Sequence, residues 1–370
     1  MSSYDRIPLV DLGAQHEEVA LEVAAGFDKV LSSTAFVGGP DVDEFEAEFA
    51  AYTERQACVG VANGTDAIEL VVRALEIGPG DEVVVPANTF IATAEAVARA
   101  GATVVLADCD PTNLLIDPAS VADRLTDRTR AVIAVDLYGQ IAPMEELRDV
   151  IAGRHVHLLE DAAQSQGARR HDRTIGSLAT AAMTSFYPGK NLGAYGDAGA
   201  VVTDDDELAT RVRTISSHGG LRRYEHVVQG FNSRLDTLQA VVLRAKLSRL
   251  EGWNERRREA AARYDALLAD VADVRLPGTD APNLHVWHLY VVRVPNRDAV
   301  LAHLNEAGVG AGIHYPKPLH QTEAFAGVAE VGSCPVAETE AGSLLTLPLF
   351  PHITEAQQVR VVETLVEALS

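Results

Sequence analysis

Lysine is scarce in this chain: Lys29, Lys190, Lys246 and Lys317 are the only four among 31 basic side chains. Cysteine is scarcer, with Cys58, Cys109 and Cys334 far apart and no C-x-x-C pair. That spacing offers no disulfide frame and no thiolate metal site, and it suits a reducing, cytoplasmic compartment. No run of 18 apolar residues occurs, and no charged segment followed by an apolar run opens the sequence, so neither a membrane span nor an export signal is expected. Positive charge is in deficit: 31 Lys and Arg against 53 Asp and Glu leave a net charge of −22. So acidic a surface repels phosphate backbones and anionic bilayers, which argues against nucleic acid or membrane as a partner. Any anionic ligand must be held locally, by backbone N–H groups and a few cations. The G-x-G-x-x-G fingerprint of dinucleotide folds is missing too; GAYGDAG at 193–199 has other spacing and precedes a strand pattern. The pairs His285/His288 and His314/His320 lack the helical spacing of a zinc site, so no metal is expected.

What is present is the balance of a globular enzyme, 47% apolar and 23% charged over 370 residues. From 57 to 204, apolar runs of five or six residues alternate with helical patterns. The runs are ACVGVA (57–62), EVVVP (82–86), TVVLAD (103–108), AVIAVD (131–136), HLLED (157–161), MTSFYP (183–188) and GAVVTD (199–204). Unbroken apolar strands between helices predict an α/β fold with a mostly parallel central sheet covered on both faces, its ligands beyond the carboxyl ends of the strands. One long helix is expected from Asp236 to Leu268, a strand over 287–295, and a terminal helix capped by Thr354. These divide the chain into a large domain over 1–251 and a smaller C-terminal α/β domain over 252–370.

Lys29 and Lys246 read as solvated or packed stems, and Lys317, between two prolines, as a loop residue that could lie near an anion. Lys190 differs, because it follows a strand within PGKNLGAYGDAG, where glycines allow a tight turn to bring it against a ligand. Desolvated there, its amine would lose basicity and become a Schiff-base nucleophile, although a plain surface turn places lysine similarly. In LLEDAAQSQGA, Asp161 ends a buried strand, where a carboxylate is costly unless it faces a ligand or caps a helix. Gln164 follows three residues on, able to address the same planar ligand. A carboxylate against a pyridine nitrogen keeps that nitrogen protonated, which makes the ring an electron sink. In VANGTDAIEL, the N–H groups around Gly64 and the Thr65 hydroxyl form either a phosphate cradle or an ordinary helix cap. Phe90, just past the strand EVVVP, can stack on a flat ring or pack in the core. Together these residues make one complement for pyridoxal phosphate.

The segments NGTDAI, PANTFIATAEAV, EDAAQSQGA, SFYPGKNLGAYGDAGA, GFNSRLDTLQA and HYPKPLHQ resemble, in order and spacing, those of the nucleotide-sugar aminotransferases of the DegT/DnrJ/StrS family. The resemblance runs from IPLVDL to LPLFP. It implies the fold-type I architecture of aspartate aminotransferase, pyridoxal phosphate as cofactor, and a homodimer whose sites are shared across the interface. It also implies that Lys190 carries the cofactor and shuttles the proton, that Asp161 pairs with the ring nitrogen and Gln164 with the ring oxygen, and that Phe90 stacks. Gly64, Thr65 and Ser185 would bind the phosphate, with Asn232 reaching it from the neighbouring subunit. Tyr187, His218, Arg222, Arg223, His314, Tyr315, Lys317 and His320 would border the sugar nucleotide. GGLRRYEHVVQGFNSRLDTLQAVVLRAKLSRL is most similar to enzymes aminating carbon 3 of a thymidine-diphosphate keto-deoxyhexose on the way to antibiotic sugars, with glutamate as donor. Amination at carbon 4 and a regulatory or scaffold protein on the same fold are the alternatives; sugar dehydration, which uses histidine in place of the lysine, is disfavoured by Lys190.

Overall fold

The computed structural model describes residues 6–222 and 224–370. Two helices open it, α1 (Leu12–Ser33) and α2 (Pro40–Tyr52), and an alternation of strands and helices follows. β1 (Ala57–Val61) leads to α3 (Gly64–Ala74), β2 (Glu82–Pro86) to α4 (Ala92–Arg99), and β3 (Thr103–Ala107) to α5 (Pro118–Arg124). β4 (Thr129–Val135), α6 (Met144–Val150), β5 (His157–Asp161) and the short β6 (Arg169–Arg170) come next. β7 (Ala181–Ser185) and β8 (Gly199–Thr203) complete the central sheet, whose strand order is β1-β8-β7-β5-β4-β2-β3. Within this sheet β8 runs antiparallel to both neighbours, and the remaining pairings are parallel.

The apolar strands dictate the layering. Val83, Val84 and Val85 of β2, and Ala131 to Ala134 of β4, are fully buried. Each such valine gains roughly 1.5–3 kcal/mol by leaving water, and only if both faces of the sheet are covered. One face carries α3, α4 and α7 (Asp206–Ser216) through Leu70, Val71, Ala94, Val97, Leu208 and Val212. The other carries α2, α6 and α8 (Thr237–Leu247) through Phe45, Phe49, Leu147, Ala240 and Leu243. Between α7 and α8, a hairpin of β9 (Gly220–Arg222) and β10 (Glu225–His226) stands at the surface; Arg223 lies outside the described residues.

The single helix expected over 236–268 is broken. α8 stops at Leu247, and α9 (Leu250–Leu268) restarts after a turn at Ser248 and Arg249. The break re-aims the apolar face: α8 packs under the central sheet, whereas Ala260, Ala261, Tyr264 and Leu268 of α9 enter a separate core. The boundary expected at 251/252 therefore falls in the first turn of α9. That second core gathers the pair β12 (Tyr290–Arg293) and β13 (Leu344–Leu347) with α10 (Arg297–Glu306) and α12 (Glu355–Leu369), the last capped by Thr354. Ile7 joins it from the far end of the chain, bridging Val309. β12 is shorter than the expected 287–295, because Trp287 takes a left-handed φ of 47° and donates its N–H to His285 Nδ1. β11 (Asn283–Leu284), paired with β6, and α11 (Pro335–Glu340) complete the described elements. Among these residues no helix is long and apolar enough to cross a membrane.

Two glycines test this packing in opposite directions. A Cβ on Gly199 would stand 2.5 Å from the Asn63 carbonyl carbon, a backbone atom that cannot yield. Gly199→Ala should destabilise by about 1–3 kcal/mol in denaturant unfolding. A Cβ on Gly252 meets nothing within 4 Å, so Gly252→Ala on the exposed side of α9 should stabilise by about 0.5–1 kcal/mol.

Candidate active site

The carboxyl ends of β1, β2, β4, β5 and β7 open on one edge of the sheet, and the turns that follow them bring most of the candidate residues together. At the end of β5, Asp161 is 6% exposed. Its Oδ2 accepts from Thr93 Oγ1 at 2.8 Å, and its Oδ1 accepts from the Ala163 N–H at 3.2 Å. Burial pushes its carboxyl upward; the Thr93 hydroxyl, the Ala163 N–H and the charge of Lys190 oppose that push. Lys190 sits in the turn after β7, its N–H bonded to the Tyr187 carbonyl. Loss of water brings its amine down to about 8, with Asp161 pulling the other way. No hydrogen bond or ion pair holds that amine among the described residues, so it is free to meet an electrophile.

Gln164 is buried, and its Oε1 accepts from the Tyr138 N–H at 2.6 Å. A backbone N–H can only donate, which fixes the amide orientation and leaves Nε2 facing the Tyr315 hydroxyl at 3.2 Å. Phe90 is 52% exposed and lies 5.6 Å from the Tyr315 ring, its other face open. His314, whose Nδ1 is 2.8 Å from Thr346 Oγ1, is held near 4 by burial and by the charge of Lys190. Tyr187 is 59% exposed, and Lys317 is exposed two residues after Tyr315.

The start of α3 completes the site. Asn63 caps the helix by accepting from the Asp66 N–H at 2.8 Å. Gly64 lies so close to Ser185 that a Cβ would come within 2.6 Å of the serine Cβ. The first N–H groups of α3 and the Ser185 hydroxyl therefore adjoin, an arrangement suited to a phosphate. A buried carboxylate that lacks a cationic partner within bonding distance, an exposed aromatic face, an oriented amide donor, a desolvated lysine and a phosphate cradle fit pyridoxal phosphate in donor set and in order.

Other candidates stand apart. Asn232 is exposed, bridged to Ser217 beyond the end of α7. His218, with φ 58°, and Arg222 are exposed at the hairpin. Neither makes a hydrogen bond or ion pair to the groups above among the described residues. His320 is a correction. Its side chain is fully buried, with Nε2 3.0 Å from Glu338 Oε1, and that carboxylate also accepts from the Gly332 and Cys334 N–H groups. The turn at Leu319, whose N–H bonds the Ala87 carbonyl at 2.8 Å, carries the chain inward after Lys317, so His320 braces a loop and offers nothing to a substrate.

Sequence reasoning passed over Thr93, Tyr138, Asn191 and His288. Thr93 stands three residues after Phe90 at a helix start, a spacing that could have shown that both face one ligand. The others belong to segments far apart in the chain, with no local signal.

Comparison with known proteins shows the family. Residues 18–366 match the model of the DegT/DnrJ/EryC1/StrS aminotransferase family. The dTDP-3-amino-3,4,6-trideoxy-alpha-D-glucose transaminase of Streptomyces venezuelae is 46% identical over 364 residues, covering 98% of this chain and 96% of that protein. The crystal structure of S. venezuelae DesV in complex with a ketimine intermediate superposes with a TM-score of 0.95 at 45% identity and 98% coverage of both chains. NtdA from Bacillus subtilis, solved with bound cofactor PMP, gives a TM-score of 0.88 at 31% identity, covering 99% of this chain and 85% of that one. The architecture is accordingly the fold-type I α/β fold of pyridoxal phosphate enzymes, and the chain belongs to the DegT/DnrJ/EryC1/StrS aminotransferase family.

Proposed function

We propose that this aminotransferase moves an amino group from L-glutamate to carbon 3 of a thymidine-diphosphate keto-deoxyhexose. The observation that carries the chemistry is the desolvated Lys190 amine facing the buried Asp161 carboxylate; the carbon and the nucleotide rest on likeness to the S. venezuelae transaminase. The cofactor is pyridoxal phosphate, which when bound supplies an electron sink at the carbon that loses its proton and carries the amino group between half reactions. Lys190 would hold it through Nζ, and that nitrogen, when free, would accept the α-proton of the amino acid and return it. An amine brought to about 8 is poised for both directions of that transfer near neutral pH. Asp161, steadied by Thr93, keeps the ring nitrogen protonated, and Gln164 Nε2 donates to the ring oxygen. Phe90 covers one ring face. Gly64, Thr65 and Ser185 take the phosphate.

The active unit in this reading is a homodimer. Phe36 and Val37 are 45% and 52% exposed, and both are tied to the segment just after Asn232, through the Thr237 N–H to the Phe36 carbonyl and the Val37–Asp236 bridge. An apolar surface beside Asn232 suits a subunit contact that carries Asn232 to the partner's phosphate. Tyr187, His314, Tyr315 and Lys317 border the sugar nucleotide, with His218 and Arg222 arriving on the partner's hairpin. Three free, buried cysteines fit a reducing cytoplasm. Production of an amino sugar for an antibiotic is the pathway role consistent with the relative.

Lys190→Ala should abolish transamination and the visible absorbance of lysine-linked cofactor while leaving unfolding little changed; persistence of that absorbance would move the assignment to another lysine. Without cofactor, a pH series of amine labelling should place Lys190 near 8. Because the Asp161 charge raises that value, Asp161→Asn should move it lower, and an upward or absent shift would separate the two groups. If Asn232 acts across the interface, co-refolding Lys190→Ala with Asn232→Ala should restore activity above either parent, since one mixed site is then intact. Supplied with matched 3-keto and 4-keto thymidine-diphosphate deoxyhexoses, the enzyme should aminate the 3-keto sugar by NMR; turnover of the 4-keto sugar alone would overturn the regiochemistry.

A further inference from the structure

Between the two turns that carry Asp161 and Lys190 lies a buried chain of amides whose orientations are all determined. Gln166 is fully buried in the Asp161 turn and bonded through Nε2 to Thr184 Oγ1 and the Ser185 carbonyl, both at 2.8 Å, which locks that turn onto β7. Its own carbonyl accepts from Asn254 Nδ2 on α9 at 2.9 Å. A carbonyl cannot donate, so this contact fixes which end of the Asn254 amide is nitrogen. Asn254 Oδ1 is then an acceptor, and it takes Asn191 Nδ2 at 2.9 Å. Asn191 Nδ2 also donates to the Val286 carbonyl at 2.9 Å, a second and independent fix. Only Asn191 Oδ1 remains, an acceptor 3.2 Å from His288 Nδ1. The hydrogen of that contact must come from the imidazole. His288 is therefore the Nδ1–H tautomer, with a bare lone pair on Nε2.

Asn254 is 0% and Asn191 1% exposed, so neither amide can turn to water for a substitute partner. Asn191 is the residue after Lys190, and His288 lies beside the site, where Lys190, Arg257, His314 and His285 are the charged or titratable groups acting on it. All of them are cationic or neutral, so nothing there favours an imidazolium. The relay starts on the turn that holds Asp161 and ends next to the lysine. It passes through α9, which belongs to neither turn.

We propose that Gln166, Asn254, Asn191 and His288 form a positioning relay that sets Lys190 in register with Asp161 and holds His288 as a neutral Nδ1–H imidazole beside the lysine. Asn254 is its joint: it makes no contact with the proposed cofactor set, yet it links both halves of it. The proposal rests on the cofactor reading for its catalytic consequence, but the tautomer does not depend on that reading.

The test uses the full-length chain with 15N-labelled histidine, before and after addition of pyridoxal phosphate, with His288→Gln supplying the assignment. Long-range 15N–1H spectra should show His288 protonated at Nδ1 and bare at Nε2 from pH 6 to 8.5. Asn254→Asp removes the donor to the Gln166 carbonyl but keeps the acceptor for Asn191. It should change the His288 spectrum, shift the pH at which the lysine-linked cofactor band titrates, and lower kcat by about 10- to 100-fold with the glutamate KM within about twofold. Should Asn254→Asp fail to take up cofactor, His288→Gln against His288→Phe decides instead: glutamine places an acceptor where Nε2 stood and should retain at least about tenfold more kcat than phenylalanine. An Nε2–H tautomer in the unmodified protein, or a folded Asn254→Asp with unchanged spectrum and kcat, overturns the proposal. Loss of cofactor binding by the unmodified protein would sink the cofactor reading while leaving the tautomer result standing.

Discussion

The site depends on a half-buried amine and a buried carboxylate whose charges support each other. Burial drives Lys190 down to about 8 and drives the Asp161 carboxyl up, so each group alone would tend toward its neutral form. Each partly restores the other, and the Thr93 hydroxyl and Ala163 N–H restore Asp161 further. A protonated ring nitrogen against Asp161 would finish the compensation. That balance is useful only if the two groups cannot drift, because a charge pair in a poorly hydrated cleft changes steeply with distance.

Adjacent parallel strands provide the rigidity. β5 and β7 are hydrogen-bonded neighbours with Asp161 opposite Met183, so the turns leaving them start side by side. The glycines act where backbone must approach backbone. Gly193 presses on the Pro188 carbonyl and Gly199 on Asn63, which closes the lysine turn and seats it against the phosphate cradle. From the other side, α8 grips the same turn: Lys246 Nζ donates to the Gly193 carbonyl at 2.6 Å, and Gln239 Oε1 accepts from the Tyr195 N–H at 2.8 Å. Lys246 is itself desolvated to about 8 with no carboxylate partner, held by that carbonyl and by the Tyr195 ring 4.6 Å away.

How much of this was legible in the sequence follows from how local each signal is. Asp161 was readable because it ends an apolar strand, where burial without purpose would cost several kcal/mol, and Lys190 because glycines surround it in the turn after another. The parallel sheet was readable from its unbroken valine runs. The bend at Ser248 and Arg249 was not, since the residues on either side are good helix formers and the two cores that pull them apart exist only in three dimensions. His320 misled for the same reason in reverse. Its motif neighbours Tyr315 and Lys317 reach the site, but the Leu319 turn sends it to Glu338, eighteen residues ahead. Asn191, Asn254 and His288 carry no pattern at all until the fold joins them.

The acidic excess also bears on how an anionic substrate is recognised. Most arginines near the surface are already committed to carboxylates: Arg73 and Arg99 to Glu69, Arg128 to Glu82, Arg213 to Glu46, and Arg244 to Glu48. Such pairs contribute little to stability where exposed, yet each removes a cation from the set that could meet a diphosphate. Among the described residues Arg222 and Lys317 make no ion pair, and neither do the exposed Arg6, Arg148, Arg154, Arg173, Arg211 and Arg234. In a chain of net charge −22, a ligand carrying two phosphates is repelled by most of the surface and is attracted only where such unneutralised cations stand. Lys317 is exposed two residues after Tyr315, whose hydroxyl meets Gln164. The charge deficit thus puts the burden of meeting a diphosphate on local unpaired cations and backbone N–H groups, because the surface as a whole repels it.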